Sequence, residues 1–78
     1  MEIVFEWNVK KARTNFEKHR ISFDEGRSIF SDPLLVTFSD NFHSEAEERL
    51  ISIGMSERSR VLLVVHTERE ELEEKIVI

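Results

Sequence analysis

Cysteine and tyrosine are absent from this sequence, proline occurs once and glycine twice. Without cysteine there can be no disulfide, no iron–sulfur cluster and no thiolate zinc site, and a reduced, cytoplasmic setting is the expectation. No apolar run approaches the roughly 20 residues needed to cross a bilayer, so no membrane association is expected. The first residues, Met1-Glu2-Ile3-Val4-Phe5-Glu6-Trp7, lack the basic stretch that opens a secretory signal. His19, His43 and His66 lie 24 and 23 residues apart, far from any spacing of the HExxH kind. Neither a metal nor another cofactor is expected.

What is present fits one small domain spanning residues 1–78. A chain of this length buries only about 60–65% of the surface its unfolded form exposes, so its stability margin is thin and a partner would help. Apolar residues make up 40% of the sequence, including six Phe, enough for a single core. The net charge of −5 is unevenly spread. Residues 8–20 carry Lys10, Lys11, Arg13, Lys18 and Arg20 against Glu17, five cations against one anion. Residues 67–78 carry five Glu against Arg69 and Lys75. A local basic face attracts phosphate even on an acidic chain, because salt screens charges more than ~10 Å away.

Ile3, Phe5 and Trp7 alternate with Val4 and Glu6, which predicts a short edge strand. Asn8 is a good N-cap for a helix over Val9–His19, with Val9, Ala12, Phe16 and His19 as its buried stripe. Ser22-Phe23-Asp24-Glu25 reads as a capping box opening a second helix that buries Phe23, Ile29 and Phe30. That helix must stop near Ser31, since Pro33 pushes the residue before it out of the helical region. Leu34–Phe38 is a short β-rich stretch followed by the turn residues Ser39-Asp40-Asn41. Arg49–Met55 alternates, with Ile51, Ile53 and Met55 on one face, and Gly54 with Ser56–Ser59 supplies a hairpin. Val61–Val65 is a continuous apolar run, the pattern of a central strand covered on both sides. Thr67–Glu74 is a charged connection, and Lys75–Ile78 begins another strand. Helices first and strands afterwards predict an α+β fold, two N-terminal helices packed on one face of an antiparallel sheet of about four strands. The apolar Ile76-Val77-Ile78 strand at the end of the chain suggests a domain truncated at its C-terminus, with an open edge for a partner protein or for a two-fold homo-oligomer.

A series of residues and short motifs follows in one order and spacing along the chain. Phe5-Glu6-Trp7 leads into Lys11, Asn15, Phe16 and Lys18-His19, then Ser22-Phe23, Phe30 and Asp32-Pro33. His43-Ser44-Glu45, Glu48-Arg49, Ile53-Gly54-Met55-Ser56, Arg60-Val61-Leu62, Val64-Val65 and Thr67-Glu68-Arg69 follow. Along nearly its whole length the chain resembles the BrnT family of toxins from bacterial type II toxin–antitoxin systems. The resemblance implies a RelE-like fold, endoribonuclease activity on RNA, and a BrnA-like antitoxin bound in a toxin–antitoxin complex. Where the family has Gly after its Lys-His pair, this chain has Arg20. The family also continues into a Ser-Ala-Arg-like motif and a basic C-terminal helix, neither of which follows Ile78 here. A degenerate, non-catalytic domain that still binds its antitoxin is therefore the second reading.

Cleaving RNA without a metal requires deprotonation of the 2′-hydroxyl, stabilisation of a crowded phosphate, and in-line positioning. Lys11, Asn15 and Lys18 share one helical face and form either a phosphate-binding stripe or an ordinary solvated surface. Arg60 and Arg69 offer planar forks for phosphate, or else are plain surface cations. Nine residues apart along a strand, the two would stand about 30 Å from each other and could not share one phosphate. His66 is a candidate acid or base, or a hydrogen-bonded structural residue at a strand end. His19 suits a helix cap, and His43 sits in a loop with Ser44 and Glu45. Trp7 either stacks on a base or anchors the first strand. The run Glu70-Glu71 and Glu73-Glu74 reads as a solvated acidic loop.

Overall fold

A computed structural model describes residues 3–42, 48–70 and 74–78. Strand β1 (Ile3–Glu6) leads through Asn8 into helix α1 (Val9–His19). The Asn8 side chain accepts hydrogen bonds from the amides of Lys10 and Lys11, satisfying donors that a helix start leaves unpaired. Arg20 ends α1 in the left-handed region, φ 57°, with its amide donating to the Phe16 carbonyl. Helix α2 (Phe23–Ser28) starts at Ser22, whose hydroxyl accepts from the Glu25 amide. A 3₁₀ turn (Ile29–Ser31) then runs out at Asp32, which is extended as its position before Pro33 requires. Strands β2 (Val36–Ser39), β3 (Leu50–Met55), β4 (Val61–Glu70) and β5 (Glu74–Val77) complete the chain. His43 lies outside the described residues.

The five strands form one sheet in the order β1-β5-β4-β3-β2. The fold is α+β, as expected, but the sheet has five strands and is mixed, because β1 joins β5 in parallel. Local patterning gives each strand; it cannot show that the first and last strands of a chain meet, since that pairing depends on how the helices carry the chain across. The C-terminal strand is therefore not an open edge. It is flanked by β1 and β4, and Ile76 is fully enclosed.

The core lies between the sheet and the α2–3₁₀ segment: Ile29, Leu62 and Val64 form its centre, flanked by Ile21, Phe30 and Leu35. Gly54 lets the strand approach closely, since a Cβ there would stand 3.0 Å from Leu35 and 3.2 Å from Ile29. Further expectations are corrected. Residues 67–70 are not part of a connection but lie in the second half of β4. The α1 stripe is not buried: Val9, Phe16 and His19 are exposed and Ala12 is half-covered, so α1 is fastened by its caps more than by an apolar face. Nor is β4 covered on both sides: Leu62 and Val64 point into the core while Val61, Leu63 and Val65 face outward.

The β3–β4 hairpin closes through Ser56, whose amide donates to the Arg60 carbonyl, and Ser59 occupies the left-handed position, φ 59°, where such loops favour glycine. Ser59→Gly should stabilise the domain by about 0.5–1 kcal/mol, raising the melting temperature by several degrees. Arg20→Gly should gain less, because it also removes a guanidinium that lies 5.7 Å over the Phe16 ring. Val64→Asp, by contrast, places an unpaired charge in the core and should abolish cooperative unfolding altogether. Thermal melts of the three variants followed by circular dichroism provide the check.

Candidate nucleic-acid interface

Helix α1 carries the cationic surface. Lys10, Lys11, Arg13, Lys18 and Arg20 are all exposed. Of the face formed by Lys11, Asn15 and Lys18, only the two lysines are open to solvent. Asn15 is half-buried and donates from Nδ2 to the Ile21 carbonyl at 3.0 Å, tying the helix to the chain that leaves it. Trp7 is half-buried as well, meeting Phe23 edge-on with ring centroids 6.2 Å apart. Beside this helix runs a groove of about 470 Å³, walled by Asn15, His19, Phe23, Gly26, β4 and Ile78.

Arg60 is held from within. Its guanidinium donates to both carboxylate oxygens of Glu25, at 3.0 Å from Nε and through a closer contact from Nη2. Glu25 is only 3% exposed and also accepts from the Ser56 hydroxyl at 2.6 Å. The hydrogen bonds from Arg60 and then Ser56 hold the Glu25 carboxyl below its ordinary value, outweighing the opposing effect of burial. The same pairing raises Arg60 further above its already high value. Next to this bracket, Asp32 accepts from the amides of Met55 and Leu34, and those two bonds lower its pKa. Ser28 adds a third tie, accepting from the Glu57 amide.

His66 is buried at 2% exposure, with its ring edge-on to Phe30 at 5.1 Å. Its Nε2 and the Ser52 hydroxyl are 2.7 Å apart, and Ser52 is in turn 2.7 Å from the Thr37 hydroxyl. Nδ1 is buried and, among the described residues, has no hydrogen-bond partner of normal geometry. Burial pushes the imidazole below its usual value, offset in part by the Thr67 backbone. Arg69 stands near the far end of β4, opposite Lys75 in register, and β4 runs unbroken between it and Arg60. Over that span the two positions are about 30 Å apart and cannot grip one phosphate together.

Sequence reasoning missed the Glu25 bracket. The Ser22–Glu25 spacing carries the signature of a capping box, yet Glu25 turns into the fold toward Ser56 and Arg60. The only available hint was the proximity in sequence of Ser56 and Arg60, both in the hairpin. The Thr37–Ser52–His66 chain was equally invisible, because it depends on strand register.

The molecule is thus an α+β domain in which, among the described residues, most exposed cations lie on α1 and its C-cap, while several central polar groups are engaged internally. A family model described as the ribonuclease toxin, BrnT, of type II toxin–antitoxin systems matches residues 7–78. The chain belongs to that family. No curated protein matches it at a significant level.

The bracket and the buried imidazole predict two steps of acid sensitivity. His66 has a lowered folded-state pKa, so the unfolded chain takes up its proton first and stability begins to fall as pH drops below about 6.5. Glu25 and Asp32 contribute stability that is complete above their unfolded values, 4.5 and 3.8, and is lost as pH falls through their lower folded values. Urea unfolding from pH 8 to pH 3 should resolve both steps. Glu25→Gln should lower the midpoint at pH 7 and shrink the acid step while leaving the one near neutrality in place.

Proposed function

We propose that this chain is an endoribonuclease toxin that cleaves RNA and is neutralised by a BrnA-like antitoxin, on a RelE-like scaffold. The match to the ribonuclease toxin family over residues 7–78 carries this reading. The exposed cations of α1 support it: Lys11 and Lys18 are open to solvent and offer an entry face for the phosphate backbone. Arg69 is the arginine proposed to act at the phosphate. Arg60 serves by holding the hairpin from which β4 starts, because its fork is occupied by Glu25. His66 acts on RNA only if its pocket opens, since both its ring and Ser52 are enclosed. Catalysis under this reading rests on holding the RNA in line and stabilising phosphate charge.

A second reading has its own observation. Asn15, Arg60 and His66 are three of the seven candidate site residues, and each is engaged by the protein itself. That arrangement suits a degenerate toxin that binds its antitoxin without cutting. The two readings separate on purified protein. The enzyme reading expects cleavage of a mixed-sequence RNA in the presence of a chelator, and growth arrest on induction that coexpressed antitoxin relieves. Antitoxin binding with intact RNA and no arrest would leave the interaction module standing.

For the basic helix, changing Lys11 and Lys18 to Glu together should remove most RNA affinity and leave the melting temperature within a few degrees. The slope of log affinity against log salt should become shallower by roughly 0.7 for each phosphate of a single strand that the protein no longer neutralises. An unchanged slope would show that α1 is an ordinary solvated helix.

A further inference from the structure

The sheet has two faces with inverted character. The face under α2 and the 3₁₀ turn carries Thr37, Ser52 and His66 together with Gly54, Leu62 and Val64. The register places Val36, Phe38, Met55, Val61, Leu63 and Val65 on the opposite face. These six side chains are 40–69% exposed. Ile51 and Ile53, half-buried, sit among them and make the patch continuous across β2, β3 and β4. No polar or charged residue interrupts it at those positions. Alternation in a one-sided sheet puts polar groups outward; here the outward positions are the apolar ones.

We propose that this face is the contact between two copies of the chain, packed sheet against sheet about a two-fold axis. The area is the first argument. At roughly 100 Å² each, the six exposed side chains present on the order of 600 Å², the upper end for the largest patch on a monomer. Two such faces bring about 1,200 Å² together, the lower bound of a stable specific interface. Chemistry is the second. An RNA would need cations, and the positions of the patch supply none; Arg69, at the same register parity, lies further along β4 beyond the patch. An uncharged apolar surface is complementary to itself, so an isologous pair forms without burying a charge and without regard to the chain's net charge of −5. Aligned sheets of this kind pack about 10 Å apart with their inner side chains interdigitating. The contact is independent of RNA cleavage: a catalytically silent chain would still pair.

The test measures scattering mass against concentration, from about 1 μM to about 1 mM, for the unmodified chain and three variants. Leu63→Lys and Val61→Lys each place a charge in the patch at an outward position, so the fold should hold, as a melt will verify. Val9→Lys alters an equally exposed apolar residue on α1 and is the control. The expected result is a monomer–dimer equilibrium that both patch variants weaken at least tenfold and the control leaves unchanged. A chain that is strictly monomeric at the highest concentration overturns the proposal. So does a dimer indifferent to both patch substitutions, or open-ended association without a closed dimer. Loss of antitoxin binding in Leu63→Lys, with the unmodified chain monomeric, would assign the face to the antitoxin instead.

Discussion

The Glu25 carboxylate is the point on which the rest of the structure depends. It sits in α2, buried, and reaches across to Ser56 and Arg60 at the two ends of the β3–β4 hairpin loop. A carboxylate removed from water is costly unless its charge and hydrogen-bonding capacity are met, and here a guanidinium fork and a hydroxyl meet them together. The bracket fixes where α2 lies on the sheet, and with it the position of Ile29 against Leu62 and Val64. Asp32 and Ser28 fasten the same seam through the amides of Met55 and Glu57. Among the described residues only Ile29, Leu62, Val64 and Ile76 are enclosed apolar side chains, and the core relies on these ties to hold helix and hairpin in one arrangement.

That reliance limits the chemistry left over. Arg60, Asn15 and His66 are each the sort of side chain that could act on RNA, and each is held by a partner within the fold. Cationic groups with freedom to meet a phosphate are concentrated on α1, which buries no residue of its own. The helix is thus better suited to presenting charge than to stabilising the domain. The sheet shows a similar division: its inner face uses hydroxyls, an imidazole and a glycine to fit closely beneath α2, and its outer face carries apolar bulk that the chain itself leaves uncovered.

The sequence alone determined the parts governed by neighbours along the chain. Asn8, Ser22 and Pro33 set the limits of the helical segments, because caps and proline act within a few residues. Alternation and apolar runs located β3 and β4, the turn residues Ser56–Ser59 located the hairpin, and the family was legible in residues spread from Phe5 to Arg69. The basic charge of α1 was also plain from composition.

Tertiary structure alone decided the pairings that join distant segments. The parallel union of β1 with β5 made the sheet mixed and enclosed the C-terminal strand, which no local pattern could reveal. An apolar run such as Val61–Val65 does not say how many of its faces are covered; that depends on where the helices lie, and they cover one. Glu25 likewise satisfied a local capping rule in the sequence while its carboxylate served a contact more than thirty residues away. The physical reason is common to all three. Local propensity acts through the backbone over a few residues, whereas burial and charge pairing are settled by whichever surfaces the finished fold brings together.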